Sequence, residues 1–228
     1  ASNNNFLVVQ INTQSNNYYR YLKTLDLSDN SRLDGTINIS QMNVLETLRV
    51  TSTEITGFTA GGNTSLKYLY LHSNADLRGV LDITSMINLI TVDAHHSGFQ
   101  TIATSNTASY VNLRTLNLSQ NALMGSVDIS QMSKLQTFDI SSNQIENLMG
   151  GINFGFLSSV NLANNLLTFD DLAQINNLSS IGNALYAPQA MVGASSSLQV
   201  DAGNPFSFDA TTDQQVTNQY TWKKDGLV

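Results

Sequence analysis

The sequence predicts a β-solenoid: coils of 21–24 residues, each giving one short strand to a parallel sheet, with β or 3₁₀ structure and loop on the return side and little helix. Three observations carry this. A nine-residue segment recurs seven times, as LKTLDLSDN (22–30), LETLRVTST (45–53), LKYLYLHSN (66–74), LITVDAHHS (89–97), LRTLNLSQN (113–121), LQTFDISSN (135–143) and LSSVNLANN (157–165). Within it, apolar and polar residues alternate, as Leu25 and Leu27 do with Thr24, Asp26 and Ser28, and a period of two belongs to a half-buried strand. A second pattern, GTINISQM (35–42), GVLDITSM (79–86) and GSVDISQM (125–132), returns in alternate units.

The elements follow in order. The segment FLVVQINTQ (6–14) is apolar and alternating but departs from the repeat, so it reads as a cap or a decayed unit. No unit can bury its leucine row alone, so the seven must stack. Parallel strands about 4.8 Å apart then build a curved sheet whose concave face is on the order of 30 Å long. Asn30, Asn74, Asn121, Asn143 and Asn165 follow the strands, where an amide can both donate to and accept from loop backbone that would otherwise be buried unpaired. Thr53 and Ser97 stand in their place in two units, where local irregularity is expected. The glycine opening each second pattern suits a turn, and the spaced apolar pairs Ile37 and Ile39, Leu81 and Ile83, and Val127 and Ile129 predict a short strand on the return side. Ile55, Phe58, Phe99 and Ile102 are assigned to the core of the even units.

Only TFDDLAQI (168–175) looks helical, with Thr168 as cap and Asp171 three residues later in capping-box spacing. The adjacent carboxylates Asp170 and Asp171 are read as a solvated helix start rather than as an acid–base pair. After NNLSSIGNALYAP (176–188) the grammar stops, and QVDAGNPFSFDATT (199–212) with NQYTWKKDG (218–226) predicts two strands separated by turn residues. The expected division is a solenoid with its N-terminal cap over 1–183 and a linker with a further β segment over 184–228.

The grammar Leu-x-x-Leu-x-Leu-x-x-Asn resembles the leucine-rich repeat family, which implies a right-handed solenoid over about 20–183 with its parallel sheet on the concave face. The last 40 or so residues resemble the opening of an immunoglobulin-like domain, with Trp222 where such folds bury a tryptophan. A complete sandwich of that kind takes about 100 residues, so the segment is either a truncated domain or a cap on the last repeat. Repeats running into such a module resemble bacterial surface proteins of the internalin type, and the irregular cysteine-free units are also similar to repeat proteins of Bacteroidetes. That resemblance implies a secreted or surface-attached protein that binds proteins or glycans through its concave face.

Composition narrows the partners. The net charge is −7 and Lys and Arg together number 10 of 228 residues, too few for a basic face that tracks phosphates, so nucleic acid is not expected. No apolar run reaches the roughly 18–20 residues that span a bilayer, and no signal peptide opens the chain, whose start at Ala1 reads as a mature or trimmed product. There is no cysteine, hence no disulfide or thiolate metal site. Charged residues are 12% while Asn, Ser and Thr abound, a balance that favours an extracellular or cell-surface protein. No nucleophile elbow, phosphate loop or H-E-x-x-H motif occurs. The expectation is a binding module without enzymatic activity or cofactor. The triplets NIS (38–40), NTS (63–65), NLS (117–119) and NLS (177–179) match the glycosylation acceptor, which matters only in a eukaryotic secretory pathway.

Three columns of outward side chains define the candidate site. The first is Thr24, Thr47, Tyr68, Thr91, Thr115, Thr137 and Ser159; the second Asp26, Arg49, Tyr70, Asp93, Asn117, Asp139 and Asn161; the third Ser28, Thr51, His72, His95, Ser119, Ser141 and Ala163. Most are small and polar. Arg49, Tyr68, Tyr70, His72, Asp93 and His95 break the pattern in adjacent units, and tyrosine and arginine are the types that most often anchor interfaces. In register, the Cβ atoms of His72 and His95 fall about 5 Å apart, while His96 points to the edge or the loop. Three readings fit this patch: a protein or glycan contact, a solvated face shaped by strand propensity and cross-strand packing, and a metal site using His72, His95 and Asp93. Paired histidines repel when charged, which would make such a contact sensitive to mildly acidic pH.

Overall fold

The computed structural model describes residues 20–150, 156–168, 171–172 and 181–189. The cap over 6–14, Asp170 and the C-terminal strands with Trp222 lie outside the described residues.

The chain winds as a parallel β-solenoid of about seven turns with almost no helix. One face is a single eight-stranded parallel sheet: β1 (Thr24–Asp26), β3 (Thr47–Arg49), β5 (Tyr68–Tyr70), β7 (Thr91–Asp93), β9 (Thr115–Asn117), β11 (Thr137–Asp139), β13 (Ser159–Asn161) and β14 (Asn183–Leu185), in that order. The return side carries three parallel pairs: β2 (Asp34–Asn38) with β4 (Glu54–Thr59), β6 (Val80–Asp82) with β8 (Thr101–Ala103), and β10 (Met124–Asp128) with β12 (Gln144–Met149). The expectation of β structure there holds, and it shows why the second pattern alternates: each return pair joins an odd unit to the following even one.

Register follows the leucines. Leu25, Leu48, Leu69, Val92, Leu116, Phe138 and Val160 stand opposite one another from strand to strand. With an outward polar residue on either side, a slip by one residue would turn the whole row to solvent. The row joins Leu45, Leu66, Leu89, Leu113 and Leu135 with Leu33, Leu77, Ile37, Leu81 and Val127 in one continuous core. Ile55 and Phe99 are buried in it, and Phe58 and Ile102 pack against it partly buried, as assigned. Gly35, Gly79 and Gly125 turn into the return strands with φ of 78°, 83° and 71°, the left-handed region that a Cβ disfavours.

A second left-handed position recurs in every unit without glycine: Asp29, Ser52, Ser73, His96, Gln120, Ser142 and Asn164 have φ between 51° and 60°. Each lies immediately before the Asn position, and its N–H donates to a carbonyl of the next coil, as Ser73 N does to His95 O at 3.0 Å and Gln120 N to Ser141 O at 2.8 Å. The sheet's hydrogen bonding thus continues past the three strand residues and holds the third outward column in line.

The buried amides do what their chemistry predicts. Asn74 donates to Val50 O at 2.6 Å in the coil before and to Leu71 O at 2.7 Å in its own, and its Oδ1 accepts from Thr53 N at 2.9 Å. Asn121, Asn143 and Asn165 repeat that pattern. The irregularity expected at Thr53 and Ser97 does not occur. The Thr53 hydroxyl donates to Asn74 Oδ1 at 2.6 Å, and the Ser97 hydroxyl reaches Leu71 O in the preceding coil at 2.7 Å. A hydroxyl is shorter than an amide but still spans the inter-coil step, so β5, β7 and β9 stay in register.

Three features were not foreseen. β14 extends the sheet to Leu185 from a segment where the leucine grammar stops, and Gln189 takes the Asn role there, donating to Leu162 O at 2.9 Å and accepting from Leu167 N at 3.2 Å. Tyr110 is fully buried, its hydroxyl donating to Ile83 O at 2.9 Å and accepting from Ser105 N at 2.9 Å. Asp171 is buried rather than solvated: it accepts from Thr168 N and Oγ1, the carboxylate half of the expected capping box, and also from Leu148 N at 3.0 Å in the coil before. Among the described residues no helix is long and apolar enough to cross a membrane.

Candidate functional site

The outward face of the long sheet has a local rule that the patch breaks. In the second column, Asp26, Asn117, Asp139 and Asn161 each accept the backbone N–H two residues on, at 3.0, 3.2, 2.9 and 3.3 Å, a turn that short side-chain oxygens favour. Arg49 and Tyr70 occupy that column in β3 and β5 and have no such acceptor. These two units forgo a local bond that their neighbours make.

The two exceptions meet instead. They are cross-strand partners, and the Arg49 guanidinium carbon lies over the Tyr70 ring, 3.9 Å from its centroid. Asp26 is Arg49's partner on the other flank, yet it forms no ion pair with it. Among the described residues the Arg49 guanidinium has no carboxylate within ion-pair distance and no hydrogen-bond acceptor.

One column along, His72 and His95 stack with ring centroids 4.6 Å apart and planes inclined by 10°. Asp93 fixes the stack: its Oδ1 lies 2.6 Å from His95 Nδ1 and also accepts His95 N, at a longer 3.5 Å. Asn117 approaches the same Nδ1 at 3.4 Å, and His72 Nδ1 lies 3.2 Å from Ser73 Oγ. Burial above all holds the His72 pKa below the ordinary 6.5; the positive charges of His95 and Arg49 act the same way, while Asp93 and Asp29 oppose them. Tyr68 stands on the same face of β5, paired with Thr47 and Thr91.

All six expected residues therefore lie on the three adjacent strands β3, β5 and β7 or in the step just beyond them. Arg49 is exposed and the other five are half-buried. His96 falls outside the patch, exposed on its left-handed turn. The contacts of Asn117 and Ser73 with the histidine rings were not foreseen. Both are small polar residues at ordinary repeat positions, and only strand register reveals them.

The metal reading fits this geometry poorly. An ion bound by imidazole nitrogen lies in the ring plane at about 2.0–2.1 Å, and two nearly parallel stacked rings share no such point. Among the described residues no group of three or more His, Asp or Glu side chains is placed to hold an ion.

A second concavity lies beside the first strands. Lys23, Val44, Glu46, Lys67 and Asn88 line a groove of about 500 Å³, in which Glu46 pairs with Lys67 at 2.7 Å and with Lys23 at 3.2 Å. Hydrogen bonds from Lys67 and then Lys23 hold the Glu46 carboxyl below its ordinary pKa. Both of its lysines share the one carboxylate of Glu46, whereas the guanidinium of Arg49 pairs with no carboxylate among the described residues. Of the described acceptor triplets, Asn38 is exposed, Asn117 is engaged beside His95, and Asn63 is buried, donating to Met42 O at 2.9 Å.

Comparison with protein-family models gives no match. Comparison with curated proteins gives none either.

Proposed function

We propose that this chain is a leucine-rich repeat protein that acts, without catalysis, as an extracellular or cell-surface binding module, taking a protein or glycan on the concave face of its sheet. The repeat grammar and the amides of Asn30, Asn74, Asn121, Asn143 and Asn165 after their strands support the family reading. The interruption at Arg49, Tyr70, His72 and His95 supports the binding reading. Elsewhere the second column holds short polar residues that accept their own backbone N–H; here large side chains replace them and stack on one another, leaving the Arg49 cation paired with no carboxylate among the described residues. Rigid strands hold these groups, so little ordering is needed to bind.

For 184–228, whose first residues through Gln189 continue the sheet, the reading as a linker with a truncated immunoglobulin-like or capping segment applies to the residues that follow and belongs to the same proposal. The test is a parallel screen of glycans and extracellular proteins against the parent chain and a variant carrying Arg49→Ala, Tyr70→Ala, His72→Ala and His95→Ala. A ligand retained by the parent and lost by the variant is the expected result. Equal binding by both would assign the repeats to a spacer that holds neighbouring modules off a surface.

A further inference from the structure

We infer that the ligand of this face is an acidic saccharide whose carboxylate docks on Arg49; the inference rests on the binding reading above and names its chemistry. Arg49 is the only Lys or Arg in the three outward columns. It turns from Asp26, directly across the sheet, to the ring of Tyr70. Stacking uses the tyrosine face and leaves the guanidinium N–H fork unspent, and that fork matches a carboxylate in two parallel bonds. In a chain of net charge −7, the one cation of these columns pairs with no carboxylate among the described residues, which keeps it available for an anion.

The rest of the face favours a sugar over a peptide. Protein interfaces are anchored by a desolvated apolar centre, yet across seven units the three columns contain no Leu, Ile, Val, Met or Phe. At the strand positions that face outward, the first large aliphatic side chain among the described residues is Leu185 in β14, five strands from β5, or about 24 Å at ordinary strand spacing; the exposed Val44 lies in the groove of Lys23, Glu46 and Lys67. Arg49 is flanked by Asp26 and Tyr70, and the same face of β3, β5 and β7 carries the rings of Tyr68 and His72 and the hydroxyls of Thr47 and Thr91. These are partners for the C–H faces and hydroxyls of a pyranose. Asp93 Oδ1 is turned to His95 Nδ1 at 2.6 Å, one strand beyond Tyr70 from Arg49.

The experiment measures equilibrium binding of the full chain to a uronic-acid oligosaccharide, to its carboxyl-reduced neutral counterpart, and to poly-glutamate. Expected are binding of the uronate, loss of about tenfold or more on carboxyl reduction, and a similar loss in Arg49→Gln with partial retention in Arg49→Lys. Equal binding of the reduced sugar, or unchanged binding by Arg49→Gln, overturns the carboxylate assignment. Poly-glutamate bound as well as the uronate overturns the saccharide. The binding reading fails separately: it survives if a neutral glycan or a protein binds and is lost in Tyr70→Ala with His72→Ala. It falls if no patch variant changes any binding. Circular dichroism of each variant establishes that the fold is intact.

Discussion

Asn74 shows at the residue scale what joins one coil to the next. Its amide reaches a carbonyl of the preceding coil and one of its own, and its oxygen receives both the N–H and the hydroxyl of Thr53, all without access to water. Asn74→Ala removes every one of these bonds and leaves buried groups unsatisfied, so urea unfolding should show a loss of about 2–4 kcal/mol. Asn164→Gly, exposed and at a left-handed φ of 59° that glycine adopts freely, should stay within about 1 kcal/mol.

His72 gives the protein an acid-sensitive element. Because burial lowers its pKa in the folded state, the unfolded chain takes up the proton first as pH falls. The stability associated with neutral His72 is therefore complete above the ordinary pKa of about 6.5 and is lost as pH falls from there through the folded value. Arg49 and His95 face it as positive groups and Asp93 and Asp29 as negative ones. Replacing His72 with Gln should flatten part of the slope of unfolding free energy between about pH 7 and pH 5. An unchanged slope would show that the proton goes elsewhere.

At the scale of the element, two glycines of similar backbone geometry should behave differently. Gly98 has φ +75°, and a Cβ there would meet the carbonyl oxygens of Ala75 and Leu77 at 2.5 and 2.8 Å. Gly79 has φ +83° with open space around it. Gly98→Ala should therefore cost about 2–4 kcal/mol, whereas Gly79→Asn should cost no more than about 1 kcal/mol. Chemical denaturation of the two variants makes the comparison.

The strands of both sides were legible in the sequence because a period of two and a repeated leucine leave little freedom of register. What escaped reading did so for a physical reason. β14 carries Ala184 where other strands have a larger apolar residue, and Gln189 replaces Asn, so the unit is intact in hydrogen bonds but nearly silent in hydrophobicity. Ser97 and Thr53 looked like breaks because the pattern specifies an amide, although the geometry needs only a donor of sufficient reach. Tyr110 stands three residues before Leu113, where buried Met42, Met86 and Met132 precede Leu45, Leu89 and Leu135, but a tyrosine in place of methionine hides the equivalence. In the candidate site, alternation placed the six side chains on one face, but the Arg49–Tyr70 and His72–His95 contacts depend on rotamers that no spacing encodes.

On the scale of the whole molecule, stacking turns a sequential pattern into a surface. Residues 23 positions apart, such as His72 and His95, become ring-to-ring neighbours because each coil is bonded to the next through strand, turn and buried amide. The chain contains no cysteine, so this neighbourhood can be tested without background. His72→Cys with His95→Cys places two thiols on adjacent strands, within the Cα separation of about 4.4–6.8 Å that a disulfide spans. Mild oxidation followed by peptide mapping should yield a 72–95 crosslink in high yield, and none in the control pair His72→Cys with Ser119→Cys, which is one strand further away. Free thiols in the 72–95 pair, or equal crosslinking in the control, would contradict the stacked register on which the shared face depends.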